Sequence, residues 1–177
     1  IYARIGSDTN IISGNTANLN TFQGIYLFRS STNNTVSNNT TNSNTFYGIL
    51  LSTGADSNTV SNHTANSNQS GIYLSLSANN MLSNNTARSN TNYGMFLSQS
   101  SNNRVVQNTL SSNVKYQIYI DGLSSSDTVQ KNNIQTSPTN PDSGVYNASG
   151  VVTNTFTFTR NWWGTSDSVA IRKMIYQ

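Results

Sequence analysis

The chain has 177 residues, of which 30 are Asn, 28 Ser and 22 Thr, whereas charged residues make up 8% and Glu is absent. This composition excludes a salt-bridged helical bundle and an acidic disordered tail. The absence of Cys excludes a disulfide scaffold, a thiol enzyme and a zinc–cysteine module. The net charge is +3, but the nine Lys and Arg form no run, so we expect no nucleic-acid partner. No stretch of about 18 apolar residues occurs, so we expect no membrane-spanning segment.

A repeat of about 23 residues covers most of the chain. Each copy has an Asn-rich segment followed by a run such as Gly-Ile-Tyr-Leu-Ser, and the glycines of four copies are Gly24, Gly48, Gly71 and Gly94. Within the runs, apolar and polar residues alternate, which predicts short strands, and a coil of stacked short strands is a solenoid. Stacking the copies predicts three interior columns: Ile25, Ile49, Ile72, Met95, Ile118 and Val145; Leu27, Leu51, Leu74, Leu97 and Ile120; and Ile12, Val36, Val60, Leu82, Val105 and Val129.

One Asn recurs at the same corner of successive copies, at Asn20, Asn44, Asn68, Asn90 and Asn113. Stacked carboxamides can hydrogen-bond along a solenoid, and Asn tolerates the left-handed backbone of a tight turn. We therefore interpret these residues as structural and expect them to hold the left-handed positions of the corner.

The repeated Asn-Thr-Val-Ser-Asn-Asn-Thr and Gly-Ile-Tyr-Leu-Ser segments resemble the right-handed parallel β-helix of the pectin-lyase-like superfamily. The similarity is greatest to its Asn-rich branch of cell-surface and periplasmic proteins, the carbohydrate-binding and sugar-hydrolase domains. The resemblance covers nearly the whole chain and implies the fold. It leaves function open, because that superfamily includes lyases, hydrolases, adhesins and inert scaffolds.

We predict an all-β, right-handed parallel β-helix of about seven rungs of 22–27 residues, with a short C-terminal capping helix. The β-helix repeats occupy residues 1–160, and the cap occupies residues 161–177. Ile1 lies 24 residues before Ile25, so the chain begins in mid-coil, which favours a fragment of a longer protein over an end that is buried against a partner.

The cap contains Trp162-Trp163-Gly164 and a short apolar segment. This resembles the closing segment of many surface β-helices. We interpret the two Trp as lids over the last rung, with sugar platforms as the alternative. Asp167 or Ser168 can cap a short helix. Its apolar side would comprise Val169, Ile171, Met174 and Ile175.

The acidic residues are too scattered to predict a catalytic site. The resemblance implies several calcium-binding carboxylates for a lyase, or two or three clustered Asp for a hydrolase. Asp121 and Asp127 flank one corner and could reach a cation together with backbone carbonyls; the other interpretation is that both are solvated turn residues. His63 replaces a corner Asn and has no acidic partner. We expect no catalytic residue, no metal and no cofactor. The six acids are Asp8, Asp56, Asp121, Asp127, Asp142 and Asp167.

An apolar stripe occupies the slot between two interior columns, where alternation directs side chains outward. It consists of Tyr26, Leu50, Tyr73, Phe96, Tyr119 and Tyr146, with Tyr2 before them. A patch of this kind favours packing of the rings on one another, contact with a neighbouring subunit or domain, or stacking of sugar rings. A second outward row, which would suit an ice-binding solenoid, contains Thr16, Thr40, Thr64, Thr86 and Thr109.

From these features we predict a non-catalytic module of an extracellular or cell-surface protein, with a periplasmic location as a further possibility. It would act as a rigid or self-assembling scaffold that contacts polysaccharide or neighbouring subunits, side by side or head to tail. The alternative is a polysaccharide lyase or glycoside hydrolase whose active site lies partly on other rungs. The ice-binding solenoid is a minor alternative. The Thr are accompanied two residues later by Asn18, Asn42 and Asn66, and Arg88 and Ser111 break this regular face on the next two turns.

Overall fold

The computed structural model describes residues 1–141, 143–148 and 157–176. In this part of the chain eight short parallel strands form the first sheet. They are β1 (Tyr2–Arg4), β3 (Ile25–Phe28), β5 (Tyr47–Ser52), β7 (Ser70–Ser75), β10 (Tyr93–Ser98), β13 (Tyr116–Ile120), β16 (Val145–Asn147) and β18 (Ile175–Tyr176). Each strand pairs in register with its counterpart one turn later, so that Ile25 lies beside Ile49 and Ile49 beside Ile72.

Two further sheets complete each turn of the coil. In the described residues the second sheet contains β2 (Ile11–Ser13), β4 (Thr35–Ser37), β6 (Thr59–Ser61), β8 (Met81–Ser83), β11 (Arg104–Val106), β14 (Thr128–Gln130) and β17 (Thr157–Thr159). The third contains β9 (Thr86–Arg88), β12 (Thr109–Ser111) and β15 (Asn133–Gln135), and single bridges continue it through Thr64, Thr40 and Thr16. The molecule is a parallel β-helix of about six turns, which confirms the predicted fold.

The interior contains the three columns that the repeat predicts and a fourth on the inner side of the third sheet, which consists of Ala65, Ala87, Leu110 and Ile134. Every member of these columns is fully buried, except for Ile12 on the first turn, which is half-buried. Ala55, which lies between two strands of one turn, is also fully buried. Burial of these aliphatic side chains is the main favourable term for the fold, at roughly 25 cal/mol per Å² of apolar surface removed from water.

Three ladders of hydrogen-bonded side chains run along the corners of the coil. At a typical step, the backbone N–H and the Nδ2 of Asn34 both donate to Oδ1 of Asn58, at 2.8 and 3.0 Å. The ladders therefore supply buried corner amides with partners, which a coil with buried turns requires. The first ladder comprises Asn10, Asn34, Asn58, Asn80, Asn103 and Asp127, and the third comprises Asn20, Asn44, Asn68, Asn90, Asn113 and Gln117. The second comprises Asn15, Asn39, His63, Asn85, Asn108, Asn132 and Asn161, and at its third member the imidazole contacts Thr41 instead of Asn39.

The expectation that the corner Asn residues hold the left-handed positions is wrong. The residue with positive φ is the one before the ladder residue: Ser43, Ser67 and Ser89 have φ values of 56°, 58° and 53°. These residues point out of the coil and leave the following Asn free to turn its amide inward. The left-handed position therefore tolerates Ser, while the ladder position selects the carboxamide.

The C-terminal segment contains the one helix of the described residues, α1 (Ser168–Met174), and no described helix is long and apolar enough to cross a membrane. The carboxylate of Asp167 caps it by accepting a hydrogen bond from the backbone N–H of Val169 at 2.8 Å. Met174 is buried, whereas Val169 is 61% exposed, so only part of the expected apolar side is covered. Trp163 is buried, as a residue that covers the last rung would be, whereas Trp162 is 52% exposed.

Candidate functional site

The outer side of the first sheet carries the predicted stripe. In the paired strands Tyr26 lies beside Leu50, Leu50 beside Tyr73 and Tyr73 beside Phe96, and the column continues through Tyr119 and Tyr146. The five aromatic members are half-buried, while Leu50 is 8% exposed. Strand pairing and alternation of side chains thus bring all six residues into one column.

A second aromatic column, which the sequence analysis did not identify, lies beside the first. Tyr47, Tyr93 and Tyr116 occupy matching positions at the start of their strands, with Ser70 in the place between Tyr47 and Tyr93. The available signal was an aromatic residue directly before the recurring glycine, as at Tyr47 and Tyr93. We call the two columns the aromatic face: Tyr26, Leu50, Tyr73, Phe96, Tyr119, Tyr146, Tyr47, Tyr93 and Tyr116.

The rings of the aromatic face contact one another across the turns. Tyr73 and Phe96 stack with centroids 4.6 Å apart, and Tyr119 and Tyr146 stack at 5.2 Å. Between these pairs Phe96 and Tyr119 meet edge to face at 5.1 Å, and Tyr93 joins both rings. Part of the apolar area is therefore satisfied within the face. The Tyr26 hydroxyl lies 3.0 Å from Oγ of Ser52, and the aromatic rings of the face are only half-buried, so part of their surface remains in contact with water.

Crowding changes the ionisation of the tyrosines. Burial, followed by the charge of neighbouring tyrosines, raises the pKa of Tyr93 and Tyr116 above the usual value for a phenol. The same causes, with Asp121 as a further one, raise the pKa of Tyr119, and burial together with Tyr73 raises that of Tyr47. These hydroxyl groups therefore stay protonated at neutral pH, where they can both donate and accept hydrogen bonds.

Two cations lie against aromatic rings at the borders of the face. The Nζ of Lys115 is 5.8 Å from the centre of the Tyr93 ring. The guanidinium of Arg29 is 5.0 Å from the centre of the Phe28 ring, and Phe28 itself contacts Tyr26. Both cations are exposed, so each keeps donors available to a molecule that lies on the rings.

The acidic side chains accept hydrogen bonds from the backbone. Each of the five aspartates in the described residues accepts a backbone N–H, and Asp142 lies outside those residues. Asp8 accepts from Thr32 and Asp56 from Ala78, each at 2.7 Å. Asp121 accepts from Gln99 at 2.9 Å and from the hydroxyl of Ser98 at 2.6 Å. Carboxylates engaged in this way bind the turns together.

Asp127, the second cation candidate, belongs to a ladder. It is 1% exposed, and its Oδ1 accepts the backbone N–H and the Nδ2 of Asn103 at 2.7 and 3.2 Å, while Oδ2 has no partner. Burial is the main cause that raises its pKa to about 7, and hydrogen bonds from Asn103 oppose the rise. Asp127 is thus buried, which differs from a solvated turn residue. No group of three His, Cys, Asp or Glu among the described residues could hold a metal ion.

The only histidine of the chain, His63, is also a ladder member. It is 1% exposed; its backbone N–H donates to Oδ1 of Asn85 at 3.0 Å, and its Nε2 lies 2.9 Å from Oγ1 of Thr41. Its Nδ1 is buried without a partner. Burial lowers the pKa of His63 to about 3. The imidazole is therefore neutral and inaccessible at physiological pH.

Comparison with known protein families identifies the family of this chain. The family model described as "Periplasmic copper-binding protein (NosD)" matches residues 4–75 and 53–168. The chain belongs to the NosD family. No curated protein matches the chain. The family description supports a location in the periplasm or outside the cell.

Solved structures similar to this NosD-family chain include two epimerases at low sequence identity. The periplasmic alginate epimerase AlgG is 20% identical, with a TM-score of 0.73 over 88% of this chain and 41% of its own. A mutant of AlgG has a TM-score of 0.78 over 92% of this chain. The A-module of the Azotobacter vinelandii mannuronan C-5 epimerase AlgE4 is 10% identical, with a TM-score of 0.54 over 88% and 54% of the two chains. The chain thus spans under half of the AlgG chain, and these likenesses show the fold.

Proposed function

We propose that this chain is a rigid, non-catalytic β-helical module of a periplasmic or extracellular protein and that it holds polysaccharide on its aromatic face. The observation that carries the proposal is the continuous set of half-buried rings that extends from Tyr47 to Tyr146 through contacts of 4.6 to 5.2 Å. Monomeric proteins seldom leave a patch of this kind in water without a partner.

Sugar polymers fit the chemistry of this face. Sugar rings have apolar C–H faces and polar rims, and tyrosine offers an apolar ring with a hydroxyl at its tip. The phenol groups of Tyr93, Tyr116 and Tyr119 stay protonated, so they can donate to or accept from sugar hydroxyls. Lys115 adds a charged donor beside Tyr93. The alginate epimerases that share the fold act on a sugar polymer according to their names, which is consistent with this choice.

The alternative is an enzyme, namely a polysaccharide lyase or glycoside hydrolase with part of its active site on other rungs. The named activity of the AlgG structures favours a carbohydrate-modifying enzyme. Against it, general acid–base chemistry on sugars needs carboxylates close to one another or a base. Here Asp8, Asp56 and Asp121 bind the backbone, while Asp127 is buried in a ladder.

Copper, which the family description names, does not fit the donors of this chain. Copper sites in proteins use imidazole, thiolate and thioether groups. The chain has no Cys and one His, and that His is buried within the coil. The proposed function therefore involves no metal.

The test is binding of polysaccharides by the purified chain and by a variant of the face. Tyr73→Ser, Phe96→Ser and Tyr119→Ser are combined in one variant, and Thr35→Ala, Thr59→Ala and Thr128→Ala on the second sheet form the control. Affinity is measured by co-sedimentation with a panel of neutral and anionic polysaccharides, and circular dichroism checks folding. We expect the face variant to bind at least tenfold more weakly and the control to bind like the wild type.

The other outcomes decide between the alternatives. Release of unsaturated or reducing ends from any polysaccharide would support the enzyme. Equal binding by the folded face variant would remove the aromatic face from the proposal. Failure of the wild-type chain to bind any polymer would remove polysaccharide binding and leave the scaffold function as the remaining proposal. Analytical ultracentrifugation of the wild type and the face variant would then show whether the chain self-associates through the aromatic face. Thermal-hysteresis measurements on the same samples test the ice-binding alternative.

A further inference from the structure

We infer that the copper binding named in the family description is not a property of this β-helix: its potential copper donors are separated from one another and engaged by the fold. The inference does not depend on the polysaccharide proposal. A copper site needs two or more imidazole, thiolate or thioether groups, or nitrogen and oxygen donors in a plane, that converge on one point.

The imidazole cannot form the centre of such a site. Nε2 of His63 lies 2.9 Å from the Thr41 hydroxyl, and Nδ1, the free nitrogen, is inside the coil. The ladder neighbours of His63 are Asn39 and Asn85, whose amide groups are engaged in the ladder, as Asn39 accepts from Asn15 and Asn85 donates to Asn108. A metal at Nδ1 would therefore have one nitrogen ligand and would interrupt the interior packing.

The thioethers lie on three different parts of the coil. Met95 is fully buried in the column between Ile72 and Ile118. Met174 is buried at the end of α1. Met81 is half-buried on the second sheet and lies beside Arg104, whose positive charge opposes a cation there. No two of these sulfur atoms share a strand or a column, so they do not form a Met-rich copper site.

The carboxylates do not complete a site either. Among the described residues, Asp8, Asp56, Asp121 and Asp167 each accept a backbone N–H from a turn or from α1. Binding a metal there would compete with bonds that hold adjacent turns together. Asp127, the remaining described carboxylate, lies in the ladder beside Asn103.

The test measures copper retained by the purified chain and includes a variant with a built site. Ser61 and Ser83 face outward on paired strands, so Ser61→His with Ser83→His places two imidazoles about 4.8 Å apart in backbone position. Wild type, this control, and a combined His63→Asn and Met81→Leu variant are incubated with Cu(II), and with Cu(I) under reducing conditions. Each is then dialysed against a chelator of micromolar copper affinity.

We expect the wild type and the combined variant to retain less than a tenth of a copper per chain and to melt at the same temperature with and without copper. The control should retain copper and melt at a higher temperature when loaded, which shows that the assay detects a site on this scaffold. One copper per wild-type chain that survives the chelator would overturn the inference. Its loss in the combined variant would then assign it to His63 and Met81, and its retention would assign it to oxygen or backbone donors.

Discussion

Asn103 and Asp127 are adjacent members of one ladder, and the backbone N–H and Nδ2 of Asn103 both donate to Oδ1 of Asp127. The ladder Asn residues also use Nδ2 to reach the backbone of the preceding turn. Nδ2 of Asn103 donates to the carbonyl of Ser77, 26 residues earlier, and Nδ2 of Asn58 donates to the carbonyl of Ser31. Asp127 has the carboxylate oxygen Oδ2 in the place of this Nδ2 donor, and Oδ2 is buried without a hydrogen-bond partner. The ladder therefore favours the protonated acid, in agreement with a pKa raised to about 7.

The first prediction is that Asp127→Asn stabilises the protein at neutral and alkaline pH. A pKa raised from 3.8 to about 7 means that the contribution of Asp127 to stability is complete below about pH 4 and lost as the pH rises through 7. The full loss corresponds to about 4 kcal/mol at most. We expect urea unfolding to show wild type and variant close together at pH 4 and the variant more stable at pH 8.

The control for this prediction is Asp8→Asn. Asp8 is exposed and accepts the backbone N–H of Thr32, so the substitution changes a carboxylate of similar role in contact with water. As a substitution at the surface, it should change the unfolding free energy by no more than about 0.5 kcal/mol. If the difference in unfolding free energy between Asp127→Asn and the wild type is the same at pH 8 and pH 4, ionisation of Asp127 in the folded chain does not lower its stability.

A second prediction concerns acid stability and His63. Burial lowers the pKa of His63 from 6.5 to about 3, so its contribution to stability is complete above pH 6.5 and is lost as the pH falls through 3. At pH 4 the loss is about 3 kcal/mol. His63→Asn restores the carboxamide of its ladder neighbours, and we expect its unfolding free energy to gain about 3 kcal/mol relative to the wild type as the pH falls from 7 to 4. The measurement is the midpoint of urea unfolding at each pH.

The slope with pH is the diagnostic quantity, since restoring a ladder amide also raises stability at pH 7. His63→Phe serves as the second variant: it removes the titrating group but supplies no ladder amide or partner for Thr41. We expect it to be less stable than the wild type at pH 7 and to gain the same amount relative to the wild type as the pH falls to 4. Parallel curves for the wild type and both variants would mean that His63 takes up its proton at the same pH in the folded and the unfolded chain.

The repeat alone predicts much of the interior, because alternation and spacing place Ile49, Leu51 and Val60 in the core. The ladder position of Asp127 was also predictable, since Asp127-Thr-Val aligns with Asn103-Arg-Val, which puts the acid in a ladder rather than in a solvated turn. The second aromatic column was recognisable from the residue before glycine. Ring orientations, such as the edge-to-face contact of Phe96 and Tyr119, depend on rotamers that no sequence period determines.

A third prediction concerns the tyrosines at high pH. Because burial raises the pKa values of Tyr93, Tyr116 and Tyr119, the stability they contribute is complete below pH 10 and falls as the pH rises further. Absorbance at 295 nm should show part of the phenols of the folded chain ionising later than those of the chain in urea. Tyr116→Phe and Tyr119→Phe should each remove part of this late phase. Coincident folded and unfolded titrations would contradict the packing described for the aromatic face.

The last prediction tests how closely successive turns pack at the recurring glycines. A Cβ added to Gly71 would lie 2.6 Å from the carbonyl oxygen of Gly94 and 2.8 Å from Cβ of Ala87, so the backbone of two turns would have to separate.

Gly71→Ala should therefore lower the unfolding free energy by about 1–3 kcal/mol, as overpacking of a close-packed interior does. The matched control is Gly54→Asn, at a φ of 75° with no atom nearer than 3.7 Å to an added Cβ, where Asn accepts the left-handed backbone. Its unfolding free energy should change little. Equal urea midpoints for wild type and Gly71→Ala would show that the turns are not held at this distance.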